Sequence, residues 1–183
     1  MFEQWDNKLT QKLWLPVLFL TLAGGASAQI PTKGNVYFGY AYNHAETVTN
    51  DATDMNGWDA SLEGKVLPWI GIVLDLNGNH GRQTFSGVRA DVSGLNVLFG
   101  PRVSIQVGRL RPFGELLFGY SHVSRGHPIS DSNTSFGNGA GGGLDYRIKG
   151  PVSLRGELDW INTRFYGHGQ NDVRFTTGVA IHF

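Results

Sequence analysis

The sequence predicts an all-β protein: an eight-stranded antiparallel up-and-down transmembrane β-barrel, preceded by a cleavable signal peptide. Three observations predict it. In eight successive alternating runs, every Asp, Glu, Lys and Arg falls on one set of alternate positions, and the other set is apolar, aromatic or Gly. A period of two puts these sets on opposite faces of a strand. Long polar and short connections alternate strictly between runs, as in a meander whose odd and even connections lie at opposite ends. Aromatic residues of the uncharged face gather at the run ends, where a lipid-water boundary selects them.

Residues 1–28 read as the signal peptide. Lys8 and Lys12 precede an apolar stretch from Leu13 to Ala23, and small residues ending Ala26-Ser27-Ala28 follow. That order is the secretory one, and the stretch is too short for a spanning helix; an ordinary N-terminal anchor is the alternative. Cleavage after Ala28 leaves Gln29 first, and the chain has no Cys for a lipid anchor or a disulfide. An exported domain, 29–183, without disulfides needs another source of stability. Closure of a barrel in lipid is one.

The first run, Val36 to Tyr42, carries large residues at even numbers and a polar stretch from His44 to Asn56 after it. The second sets Trp58, Ala60, Leu62 and Gly64 against Asp59, Ser61, Glu63 and Lys65, and Leu67-Pro68-Trp69 turns the chain. In the third, Ile70, Ile72, Leu74 and Leu76 oppose Gly71, Val73, Asp75 and Asn77, before polar residues from Asn79 to Ser93. The fourth sets Leu95, Val97, Phe99, Pro101 and Val103 against Asn96, Leu98, Gly100 and Arg102, and a short link spans Gln106 to Arg109.

The fifth run puts Leu116, Phe118 and Tyr120 opposite Glu115, Leu117, Gly119 and Ser121, followed by a polar stretch from Val123 to Thr134. The sixth alternates Phe136, Ala140, Leu144 and Tyr146 with Gly139, Gly141, Gly143, Asp145 and Arg147, and ends in a Lys149-Gly150-Pro151 turn. In the seventh, Val152, Leu154, Leu158 and Trp160 oppose Ser153, Arg155, Glu157 and Asp159; polar residues from Asn162 to Asn171 follow. The eighth sets Val173, Phe175, Thr177, Val179, Ile181 and Phe183 against Arg174, Thr176, Gly178, Ala180 and His182. Each run is about 9–11 residues, what a tilted strand needs to cross a bilayer.

Two arguments put the apolar face outward, in lipid. Eight strands enclose an interior only wide enough for side chains, and the charged face is the Gly-rich one. The uncharged face also carries two aromatic girdles, Tyr42, Trp58, Tyr120, Phe136 and Trp160 beside the long stretches, and Trp69, Tyr146 and Phe183 beside the short turns. A Lys or Arg at the midplane of a barrel's lipid face costs about 2–4 kcal/mol, and this face has none. Charges in a narrow interior must pair or trap water. A lumen network is therefore expected from Glu63, Asp75, Arg102, Glu115, Asp145, Arg155, Glu157 and Arg174. In it, Arg102, Arg155 and Arg174 reach Glu63, Glu115 and Glu157 and plug the barrel.

The short Pro/Gly turns, the stretch Phe113-Gly114-Glu115-Leu116-Leu117-Phe118-Gly119 and the closing Arg174-Phe175-Thr176-Thr177-Gly178-Val179-Ala180-Ile181-His182-Phe183 resemble the OmpA-like outer-membrane β-barrel family. The resemblance runs from about Asn35 to the end, and includes no peptidoglycan-binding domain. It implies a place in the bacterial outer membrane, outer-membrane lipids and lipopolysaccharide as surroundings, and Phe183 as the terminal aromatic presented to the outer-membrane assembly machinery.

Other chemistry is weakly signalled. Gly137-Asn138-Gly139-Ala140-Gly141 lacks the strand-then-helix context of a nucleotide loop. His44, His80, His122, His127 and His168 share the long-stretch end but show no metal-ligand spacing. Ser121 and His122 supply hydrolase residue types beside Asp159, yet adjacent strand residues point to opposite faces. Asn133-Thr134-Ser135 is a sequon of little meaning in a bacterial envelope. With 15 Lys+Arg against 15 Asp+Glu, nothing invites nucleic acid. The expected protein is a non-enzymatic monomer without metal or cofactor, serving envelope integrity or surface contact. A small porin-like channel is the alternative, and a lipid-modifying enzyme the third reading.

Overall fold

The structure is a computed structural model that describes residues 33–46, 52–85, 88–125, 131–165 and 168–183; the signal-peptide reading lies outside them. Eight strands follow in order: β1 (Gly34–Glu46), β2 (Ala52–Lys65), β3 (Ile70–Phe85), β4 (Val88–Ser104), β5 (Leu110–Arg125), β6 (Asp131–Lys149), β7 (Val152–Phe165) and β8 (His168–His182). Each pairs antiparallel with the next, and β8 returns to β1, closing the barrel. Closure is completed beyond the ladder, where Gly34 N donates to Phe183 O at 2.9 Å and Phe183 N to Gly34 O at 3.0 Å. No sheet edge is left open, as a span through lipid requires.

The short turns sit at the end where β8 meets the start of β1. Leu67 N and Val66 N both donate to Ile70 O between β2 and β3. Gly108 and Gly150 take φ of 60° and 56° in the other two, the left-handed region that Gly enters without a Cβ clash.

The strands are longer than the alternating runs, at 13–19 residues. Most of each long polar stretch is ladder: pairing continues to Glu46↔Ala52, Phe85↔Val88, Arg125↔Asp131 and Phe165↔His168. Side-chain polarity reports which solvent a residue meets, whereas the ladder needs only paired backbone groups. Alternation therefore marks the lipid-crossing part and stops where water begins. The fifth strand likewise starts earlier than its run, which brings Arg111 and Phe113 into the barrel wall.

The faces divide as parity dictates. Phe38, Ile72, Leu74, Phe99, Leu116, Phe118, Leu158 and Phe175 are exposed, while Val73, Leu98, Leu117 and Ile161 form a buried apolar cluster inside. On the outside, the aromatic positions of both girdles are exposed, and the Tyr120 and Phe136 rings meet edge to face at 6.0 Å. Two large rings break the small-inside rule: Tyr37 and Phe113 are buried in the lumen. Interior glycines make their room, since a Cβ on Gly143 would stand 2.7 Å from Phe113 Cζ.

Candidate functional site: the charged lumen

Every second residue of a strand points inward, so seven of the eight strands deliver charge to one column, and β1 adds Asn35 as a partner. All eight residues of the expected network are buried there. Their pairing forms three groups, one around each arginine.

Arg174, on β8, gathers aspartates from three strands. Nη1 lies 2.7 Å from Asp75 Oδ1 and 3.0 Å from Asp59 Oδ2, and Nε lies 3.0 Å from Asp159 Oδ2. Arg102, on β4, gathers glutamates. Its Nε donates to Glu115 Oε2 in a close ion pair, Nη2 reaches Glu157 Oε1 at 3.5 Å, and Nη1 is 3.9 Å from Glu63 Oε2. Arg155, on β7, grips Asp145 with two donors, Nε at 2.6 Å and Nη2 at 3.0 Å, and also donates to Asn35 Oδ1 at 3.0 Å. The guanidiniums of Arg102 and Arg155 lie over the Phe113 ring at 4.3 and 4.8 Å, and Arg155 lies 4.9 Å from the Tyr37 ring. Planar, delocalised and weakly hydrated, Arg tolerates this dry stacked setting better than Lys.

The Arg102 and Arg155 groups join through shared carboxylates. Glu157 faces Arg102 and, at 4.0 Å, Arg155. Glu63 binds Lys65 Nζ at 2.7 Å, Arg111 Nη2 at 3.1 Å and Asn35 Nδ2 at 2.6 Å. No part of Arg102 or Arg174 reaches solvent, at 0 % exposure. In so dry a place each charge is held by its partners. Glu115, Glu157 and Asp159 offer oxygens within 4.8 Å of one another, a donor set that would suit a metal ion. Arg102 and Arg174 already bring positive charge to these carboxylates.

Some partners differ from expectation. Arg174 pairs with aspartates and with no glutamate among the described residues, and Glu63 takes Lys65 and Arg111 at closer range than Arg102. Arg147, placed inward by parity, keeps the regular pairing with Ser153 but is exposed, because it stands at the short-turn end, where it lines the barrel mouth. Asp59, Asp159 and Lys65, which alternation puts on the charged face, complete the network with Asn35 and Arg111, and parity with Glu115 would have found Arg111.

Among the described residues, the candidate catalytic groups and histidines take separate partners. Ser121 is buried inside, His122 donates to or accepts from Thr134 Oγ1 at 2.8 Å on the outer face, and Asp159 is held by Arg174. His44 pairs with Asp54 at 2.8 Å and His80 with Ser93 at 3.3 Å; His127 and the His168 side chain lie outside the described residues. In the exposed ladder, hydrogen bonds from His44 and Tyr42 hold the Asp54 carboxyl below its usual range.

A closed barrel with charges inside and apolar side chains outside is built for lipid as its outer solvent, which defines an outer-membrane-type β-barrel. The chain belongs to the outer membrane protein beta-barrel domain family, whose model matches residues 15–183. Solved structures share the fold. Neisserial surface protein A matches with a TM-score of 0.70 at 13 % identity, covering 82 % of this chain and 97 % of that one. Ail, the attachment invasion locus protein of Yersinia pestis, solved with the heparin analogue sucrose octasulfate, matches at 0.63 and 13 % identity over 82 % and 98 %. OprG from Pseudomonas aeruginosa matches at 0.57 and 10 % identity over 82 % and 95 %. At these identities the likeness is one of fold. Among curated proteins, none matches the sequence. The family places the protein in the outer membrane.

Proposed function

We propose that the protein is a non-enzymatic, monomeric outer-membrane barrel whose lumen is shut by its ion pairs and whose projecting hairpins make surface contacts. The observation that carries this reading is the complete burial of Arg102 and Arg174 among carboxylates from β2, β3, β5 and β7. A lumen sealed at the guanidiniums leaves the strand extensions as the working surface. Barrels of this kind turn their short connections to the periplasm and the longer end outward. Two of the similar folds are a surface protein and an attachment protein, which supports contact as the role. Lipopolysaccharide and outer-membrane lipids then surround the apolar wall, and Phe183 serves as the assembly signal.

One observation favours a second reading, a small channel. Glu115 Oε1, Glu157 Oε2 and Asp159 Oδ1 are buried with no hydrogen-bond partner. Such atoms pull water in when the network loosens. Conductance of the refolded protein in planar bilayers tests the choice. A silent membrane is expected; discrete unitary steps from the unmodified chain would replace the plug with a pore.

A further inference from the structure

The short-turn end of the barrel is strongly basic. Lys33, Lys65, Arg109, Arg111, Arg147 and Lys149 lie there, and the nearby carboxylates, Glu63 and Asp145, are both turned inward and buried. Between these cations opens a cavity of about 510 Å³, lined in part by Lys33, Lys65, Ser104, Arg111, Arg147 and His182. Among the described residues, no Asp or Glu lines it.

The floor of this cavity is held in place. Lys65 Nζ and Arg111 Nη2 share Glu63 at 2.7 and 3.1 Å, and both bond Ser104 Oγ, at 2.5 and 2.9 Å. Arg111 Nη1 donates to His182 Nδ1 at 2.9 Å, which leaves that imidazole an acceptor there and directs its Nε2 toward Asp145, 3.5 Å away. One carboxylate thus serves two nearby cations and, at 3.9 Å, Arg102. At the rim, Lys33 and Arg147 are exposed, and among the described residues neither has a carboxylate within ion-pair distance; Arg147 meets Gln106 Oε1 at 3.5 Å. Positive charge is therefore in surplus, gathered in a concave site with low-dielectric walls, which focuses its field on whatever enters.

We propose that this mouth is an anion-binding vestibule that takes a phosphate group, with Lys33 and Arg147 closing on it from the rim and Arg111 and Lys65 behind. A guanidinium fork and several ammonium donors suit the many oxygens of phosphate. The phosphate can belong to a soluble compound or to the headgroup of an anionic lipid; the recognition chemistry is the same. It requires neither an open nor a closed lumen.

The test uses the barrel refolded in an uncharged maltoside detergent, titrated calorimetrically with inorganic pyrophosphate and, in a second arm, with phosphatidylglycerol in mixed micelles. One saturable site is expected, weakened by high salt and, in Lys33→Gln/Arg147→Gln, by about tenfold or more. Asp54→Asn, at the far end, should bind as the unmodified chain does. Saturation by pyrophosphate that phosphatidylglycerol does not displace assigns a soluble phosphate; saturation by phosphatidylglycerol alone assigns the lipid. Failure of both probes to saturate the unmodified protein overturns the proposal, as does a folded double variant that binds as tightly as the parent. If the double variant does not fold, Lys33→Gln alone carries the same comparison.

Discussion

Strand β7 shows the two walls of the barrel side by side. Leu154, Leu158 and Trp160 are 49–56 % exposed, while Arg155, Glu157 and Asp159, interleaved with them, are at most 3 % exposed. The same backbone thus faces two environments that reward opposite chemistry. The outer wall is stabilised by lipid and is indifferent to which apolar residue stands where. The inner wall is stabilised by pair geometry, so each charge matters through its named partners.

Breaking the inner wall should have the largest effect. Arg174→Met strands Asp59, Asp75 and Asp159 together. A loss of about 3–5 kcal/mol is expected, read from reversible urea unfolding in lipid vesicles. An effect below that of an outer-wall charge would mean that water screens the lumen.

The outer wall comes next. Leu74→Arg puts a cation in lipid and should destabilise by about 2–4 kcal/mol. Its neighbour Val73 belongs to the inner apolar cluster with Leu98, Leu117 and Ile161, so Val73→Thr should lose only about 1 kcal/mol, for one buried hydroxyl. Equal losses in the same unfolding measurement would show the register to be off by one.

The smallest effect belongs to the exposed ladder. Asp54 has its carboxyl held low by His44 and Tyr42. A depressed folded value contributes stability above the ordinary carboxylate range and loses it as pH falls through that folded value. Asp54→Asn should therefore raise amide exchange at the β1–β2 hairpin slightly at neutral pH, with the difference vanishing in acid. A difference that persists in acid would assign the contact to packing.

Much of this architecture is legible in the residue order because parity is a strict rule. Glu63, Glu115, Glu157 and the three lumen arginines lie where alternation puts them. What alternation does not carry is the third dimension. Tyr37 and Phe113 sit inside because glycines leave room for their rings, Gly39 two residues along the same strand as Tyr37 and Gly143 on the strand next to Phe113. Arg174's choice of aspartates depends on strand stagger around the closed barrel, which no single strand encodes. Arg147 keeps its register yet meets water, because it stands at the open short-turn end of the lumen. The polar strand ends lack an apolar face, so their pairing is written only in the backbone.

The central claim is that paired charges, rather than apolar packing, shut the lumen, and the Arg102–Glu115 pair tests it most directly. A double-mutant cycle of Arg102→Met, Glu115→Gln and their combination, measured by urea unfolding in lipid vesicles, isolates the interaction between them. The expected coupling is about 1–3 kcal/mol, with the double variant recovering part of what each single change loses. Additive losses, with no coupling, would show the two groups to be separately hydrated and would contradict a lumen closed by ion pairs.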